Sequence, residues 1–147
     1  MEVWAISALN MPFVSVTRLR LRKLRFLPGF AWFAIRSSMQ SKRAEGNLRT
    51  ETIKDHGLIF WTITLWRDQD AMRAFRNTGD HKTAMPKLAG WCDEATYVHW
   101  EQTDQVVPDM KTAYERLVSD GVVTKLKYPS SNNAARAFPA PINIAET

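Results

Sequence analysis

At 147 residues the chain is long enough for one domain with its own core and too short for two of ordinary size. Its 45% hydrophobic and 24% charged content excludes disordered and fibrous classes, and no apolar run is long enough to span a bilayer. The formal charge of +5 is unevenly placed, because no Asp or Glu occurs between Glu2 and Glu45. That basic stretch reads as a solvated face, as a transit-type segment, or as an attraction to nucleic acid or an anionic membrane. A single Cys92 rules out an internal disulfide and fits a reducing compartment, so the cytoplasm is the expected location.

Residues 1–12 read as an N-terminal extension whose first ten residues are expected to be dispensable. From Phe13 to Arg22, FVSVTRLRLR alternates as a strand, with Arg18, Arg20 and Arg22 on the side of Val14 and Val16. The arginine row is a candidate charged site. Its plain alternative is a strand that leaves the sheet near Arg18, so that the guanidiniums reach solvent. Interleaved aromatics that would stack bases are missing, and no nucleic-acid partner is expected.

Pro28-Gly29 is a turn before a helix over Phe30–Arg43, whose apolar positions Phe30, Trp32, Phe33, Ile35 and Met39 form a broad face suited to lying on a sheet. Lys42 and Arg43 complement the dipole at its end. The same basic, aromatic helix has a second reading as an element lying in a membrane interface. LRTETIK, Leu48–Lys54, is a polar strand near an edge, and Asp55-His56-Gly57 turns the chain into IFWTITLW, Ile59–Trp66. There Ile59, Trp61, Ile63 and Leu65 point one way, and Phe60, Thr62, Thr64 and Trp66 the other. Neither face reads as wet.

Asp68 is placed to cap a helix carrying Ala71, Met72 and Phe75, Gly79 to stop it, and Asp80 to open a shorter helix with Ala84, Met85 and Leu88 on one face. Four of the six Trp fall between Ile59 and Trp100. ATYVHW, Ala95–Trp100, is a further strand, and His99 within it reads as structural. A second amphipathic helix is expected over Pro108–Val118, with Met110, Ala113, Tyr114, Leu117 and Val118 on one face, then a last strand within Val122–Tyr128. Residues 129–147 read as a tail ordered by docking, which leaves 13–128 as the domain. There is no phosphate-cradling Gly loop, no zinc spacing and no nucleophile elbow.

Strand, helix, strand, strand, helix, strand is the βαββαβ plan of the α+β, ferredoxin-like fold. The segments FWTITLW, DAMRAF, GDHKTAMPKLAGWCDEA and YVHW resemble the antibiotic biosynthesis monooxygenase-like superfamily of dimeric α/β barrels, and more narrowly bacterial proteins of unknown function related to spheroidene monooxygenase. The resemblance covers roughly Phe13 to Gln102. It implies a homodimer whose sheets pack face to face, and a pocket in each subunit between sheet and helices. That pocket would be lined by Trp32 or Phe33, Trp61, Ile63, Phe75, His81 and Met85, with a small apolar or aromatic molecule, or haem, as the partner. Haem-degrading members carry an Asn on the first strand, a Trp and an axial His. Here Phe75 falls at the Trp position and Met85 at the ligand position, and the first strand has no Asn, so that activity is not implied.

His81 is the residue expected to act, as a neutral imidazole ligating haem iron or as a general base. The resulting expectation is a monooxygenase-like protein, cofactor-free or haem-dependent. The alternative is a non-catalytic dimeric ligand-binding module.

Overall fold

A computed structural model describes residues 11–142, with only the backbone described for Asp80 and His81. The expectations for residues 1–10, for the last five residues and for the His81 side chain lie outside what it describes. Among the described residues, five strands and five α-helices follow one another as β1 (Phe13–Leu21), α1 (Leu27–Arg43), β2 (Asn47–Lys54), β3 (Ile59–Trp66), α2 (Gln69–Arg76), α3 (Gly79–Trp91), β4 (Cys92–Glu101), α4 (Met110–Asp120), β5 (Val122–Val123) and α5 (Ser131–Ala135). The sheet is antiparallel with order β2-β3-β1-β4-β5, so the first four strands have the ferredoxin-like arrangement.

Local chemistry sets most element ends. Pro28 lies in the first turn of α1, where its missing N–H costs nothing, and Lys42 and Arg43 close the helix at its negative end. The carboxylates of Asp68 and Asp109 accept from the Ala71 and Thr112 amides, each at 2.9 Å, which satisfies donors that the first turns of α2 and α4 leave open. Between α2 and α3 the chain reverses through Gly79 at φ +61°, a conformation costly for other residues. Gln40 of α1 fixes this corner by donating to the Thr78 carbonyl at 2.8 Å.

Helices α1, α2 and α3 cover one face of the sheet. The other carries Val14, Val16, Trp61, Ile63 and Leu65, each at most 1% exposed, packed with Met110, Ala113 and Leu117 of α4 and with Phe138. Asp55 anchors this side. It is 3% exposed and accepts from the Trp61 indole at 2.9 Å and from the Ile142 amide at 3.0 Å. The expected homodimer rested on a second subunit covering this face. The chain covers it itself, with α4 and the segment after α5, so that ground for a dimer does not hold.

Three sequence expectations are corrected at this level. On α1, Trp32 and Ile35 are 61% exposed and Met39 46%, while Phe30 and Ser41 are the buried positions, so the helix lies on the sheet by a different arc. Val118 is 44% exposed and falls off the buried face of α4. The last strand is two residues long, because β5 pairs only as far as Thr96 and Tyr97 before the chain turns away.

The arginine row does not reach solvent as a group. Arg18 is 1% exposed in mid-sheet and donates to Glu94, itself 3% exposed, at 2.8 Å, because β4 brings a residue 76 positions away to its side. Arg20 reaches Asp93 at 3.1 Å and Glu94 at 3.2 Å. Arg22 donates to the Gly90 carbonyl and stacks on Phe26 and Tyr128. Arg18 and Arg20 thus ion-pair β1 to β4, Arg18 fully buried and Arg20 part-exposed, while Arg22 ties the end of β1 to the end of α3.

Candidate ligand cavity

Antiparallel register places side chains in rows across the sheet, and the face beneath α1, α2 and α3 carries an ordered set of them. Thr50 stands opposite Thr64, Thr64 opposite Ser15, and Ser15 opposite His99. The next row in that direction runs Thr52, Thr62, Thr17, Tyr97. A third row places Phe60, Leu19 and Ala95 on the floor, with Lys54 at its β2 edge outside the cavity lining. The floor therefore grades from hydroxyl and imidazole at one end to hydrocarbon at the other.

Between this floor and the helices lies a cavity of about 400 Å³. Its roof is Phe30, Phe33 and Ala34 of α1, Met72 and Phe75 of α2, and Leu88 of α3, with Ser37, Ser38 and Ser41 of α1 adding hydroxyls on one side. Phe30 packs on Phe60 with ring centroids 4.9 Å apart, closing the apolar end. At the margin, Ser41 and Thr50 hydrogen-bond through their hydroxyls, and the Asn47 amide donates to Thr50 at 2.9 Å. A larger groove of about 610 Å³ lies on the surface between α1 and α2, but the cavity alone has the graded floor. Its size is that of an ordinary small-molecule site.

His99 is half-buried and held between rings, with Phe13 at 5.4 Å and Tyr97 at 5.0 Å between centroids. Burial, helped by the positive charges of Arg76 and Arg73, pushes its pKa down to about 4. The imidazole is thus neutral at pH 7, with one donor and one acceptor nitrogen. It is a weak base. It suits a hydrogen bond to an oxygen better than the removal of a proton from carbon. Arg76 lines the cavity beside it, and no carboxylate is among the described lining residues.

His99 is expected to titrate near pH 4 in an NMR titration of its ring protons. An unfolded histidine takes its proton near pH 6.5, so the unfolded state binds more protons between about 6.5 and 4, and the fold should lose stability as pH falls through that window. A ring titrating at 6.5 would show that His99 is not desolvated.

Of the residues expected to line the site, the structure brings Phe33, Phe75 and Met85 to the cavity. Trp61 and Ile63 lie on the opposite face of the sheet, because the cavity takes the Phe60, Thr62, Thr64 side of β3. Trp32 points outward from α1. The hydroxyl rows, Tyr97 and His99 were not anticipated, although Thr at alternate positions of LRTETIK and IFWTITLW was the available signal. Cys92 is fully buried, and burial together with Asp93 raises its thiol to about 12, which leaves it un-ionised and unreactive.

Residues 13–122 match the family described as a domain of unknown function, DUF3291. The chain belongs to that family. The DUF3291 match ends at residue 122, before the segment that covers Arg18 and Trp61. No curated protein matches the chain.

Among solved structures, a putative antibiotic biosynthesis monooxygenase from Nitrosomonas europaea is 18% identical, with a TM-score of 0.57 over 63% of this chain and 91% of that one. A conserved protein from Methanosarcina mazei is 14% identical, with a TM-score of 0.57 over 68% of this chain and 99% of that one. SnoaB, a cofactor-independent oxygenase from Streptomyces nogalater, is 16% identical, with a TM-score of 0.54 over 67% and 98%. These likenesses establish the monooxygenase-like fold of the DUF3291 domain. They do not carry a reaction with them.

Among the described lining residues, the His99 imidazole is packed between two rings and the floor carries hydroxyl rows, a poor match to the apolar contact that a porphyrin face requires.

Proposed function

We propose that this domain binds a small hydroxylated aromatic molecule in the cavity between sheet and helices. The observation that carries the reading is the graded floor: aromatic and aliphatic contacts at the Phe60, Leu19 and Ala95 end, hydroxyls and a neutral imidazole at the Ser15, His99 end. A planar hydrocarbon body would lie under Phe30 and Phe33, and its oxygen substituents would meet Thr17, Thr62, Thr64 and His99. The hydroxyls and the neutral imidazole on the floor can pair with an oxygen substituent, so an oxygen-bearing ligand is preferred over a plain hydrocarbon of the same shape.

A titration with 1-naphthol and naphthalene tests this by calorimetry. One net hydrogen bond of about 0.5–1.5 kcal/mol predicts about two- to tenfold tighter binding of the naphthol. Ser38→Phe, which fills the cavity from α1, should abolish binding with little change in melting temperature. Failure of both compounds to bind, or equal binding by the variant, would refute the assignment.

A second reading, oxygenation of that ligand without a cofactor, draws on the fold shared with SnoaB and on the neutral imidazole in the cavity wall. The chemistry then falls to a substrate that supplies its own electrons: a ring methylene and O2 give a ring carbonyl and water. The role left to His99 is to hold a phenolic oxygen of the substrate in position. Oxygen consumption in step with loss of a bound anthrone-type phenol would support this reading, and binding without consumption would leave the ligand-binding module.

A further inference from the structure

Two stretches of the chain, residues 21–44 and 121–145, hold no Asp or Glu. The fold joins them at one end of the sheet. The Arg22 amide donates to the Trp91 carbonyl and the Lys127 amide to the Ala89 carbonyl, so RKLR at 22–25 and KLK at 125–127 flank the same last turn of α3. Leu126 packs in one cluster with Phe26 and Trp91. Around this seam Lys23, Arg25, Lys125 and Lys127 are exposed. Asp93 stands beside it at the start of β4, within the field of Arg22, but it accepts from Arg20 at 3.1 Å and does not cancel the exposed cations.

Aromatic rings interleave with these charges. Arg22 and Arg25 lie over the Phe26 ring, each at 4.9 Å, and Arg22 lies over the Tyr128 ring at 4.4 Å, so one guanidinium joins a ring from each stretch. Tyr128 is nevertheless 57% exposed. The sequence expectation of no nucleic-acid partner rested on β1, whose arginines have no rings between them. Phe26 and Tyr128 supply those rings from outside the strand. A solvated basic face is the ordinary use of such cations, but it gives no reason for a large ring left open in their midst.

We propose that this seam binds single-stranded nucleic acid, with Lys23, Arg25, Lys125 and Lys127 on the phosphates and an unstacked base on Tyr128, whose ring Arg22 backs. A duplex keeps its bases stacked inside and offers Tyr128 nothing to hold. An anionic bilayer asks for several aliphatic side chains among the cations, and Leu24, 67% exposed, is one. This inference stands independently of what the cavity binds.

Fluorescence anisotropy of the full chain with oligothymidylate and oligouridylate strands about 15 nucleotides long tests it. Binding to either supports the proposal, and the tighter of the two names the strand. The log of the affinity should fall against log salt with a slope of about −2 to −3.5, from three to five phosphates at about 0.7 each. Lys125→Glu/Lys127→Glu should weaken binding at least about tenfold, and Tyr128→Ala by about 5- to 100-fold, while Tyr128→Phe keeps it. All three change exposed side chains, so melting should stay unchanged. Absence of binding to both strands overturns the proposal, and pelleting with phosphatidylglycerol vesicles in that case would assign the surface to lipid. Binding that the lysine and Tyr128→Ala variants retain overturns it as well, since the strand would then lie elsewhere. So does a duplex bound as tightly as the single strands, which would leave the ring no part.

Discussion

Glu94→Gln is expected to destabilise the fold by about 3–5 kcal/mol, read from the urea midpoint at constant slope. The Arg18 guanidinium is 1% exposed, has Glu94 as its ion-pair partner at 2.8 Å and lies under the Phe138 ring at 5.5 Å. Its Nε and Nη2 have no protein partner. Once the carboxylate is neutral, a buried cation remains with no counter-charge at its ion-pair position and only the Phe138 ring to offset its desolvation. The same logic predicts that Arg18→Met/Glu94→Met costs less than Glu94→Gln alone, since removing both charges removes the penalty. A double variant as damaged as the sum of its singles would show that the two groups are not coupled.

Ending the chain after Pro129 is expected to lower the melting temperature by about 6–20 °C. Phe138, 7% exposed in the outer core, is by itself worth about 3–5 kcal/mol, and each kcal/mol corresponds to about 2–4 °C at this size. The hydrogen bonds lost with it include Asn133 accepting the Ala95 amide at 3.0 Å, Tyr114 donating to the Phe138 carbonyl at 2.6 Å, and Arg136 donating to the Gly121 carbonyl at 2.6 Å. Exposing Trp61 and its neighbours should also make the shortened chain self-associate, since the uncovered patch is apolar. Calorimetry and light scattering check both. A shortened chain that melts with the parent and stays monodisperse would mean that the segment is not part of the core.

The βαββαβ order was legible because it depends on local signals: period-2 alternation in FVSVTRLR and IFWTITLW, the cap Asp68 and Gly79 at a break, whereas the Asp109 cap was not singled out and Pro28, read as a turn, lies inside the first turn of α1. The partner of each face was not. A strand such as β3, apolar on both sides, gives two faces by periodicity but does not state which meets the helices, and that parity moved Trp61 and Ile63 out of the cavity and Thr62 and Thr64 into it.

The sequence leaves Arg18 between a charged site and a strand leaving the sheet, because its counter-charge comes from Glu94, which sequence proximity does not reveal. On α1, the large apolar residues suggested the buried face, whereas the Phe30, Ala34, Ser37, Ser41 stripe faces the cavity and Trp32 and Met39 are left outside. Small and hydroxyl-bearing residues at i, i+4, i+7 and i+11 marked the cavity side. They are easily passed over when hydrophobicity alone is counted. His99 illustrates the same limit. Its strand position was clear, but its place in a cavity depends on the Ser15 and Thr64 neighbours that register supplies.

The most direct test of the cavity as a ligand site is a two-dimensional amide NMR titration of the full chain with 1-naphthol. Chemical-shift changes are expected at Thr17, Thr62, Thr64, Phe75, Tyr97 and His99, with Val16, Ile63 and the α4 residues Ala113 and Leu117 unmoved on the far side of the sheet. Shifts confined to α4 and the outer face, or none at saturating naphthol, would contradict the account.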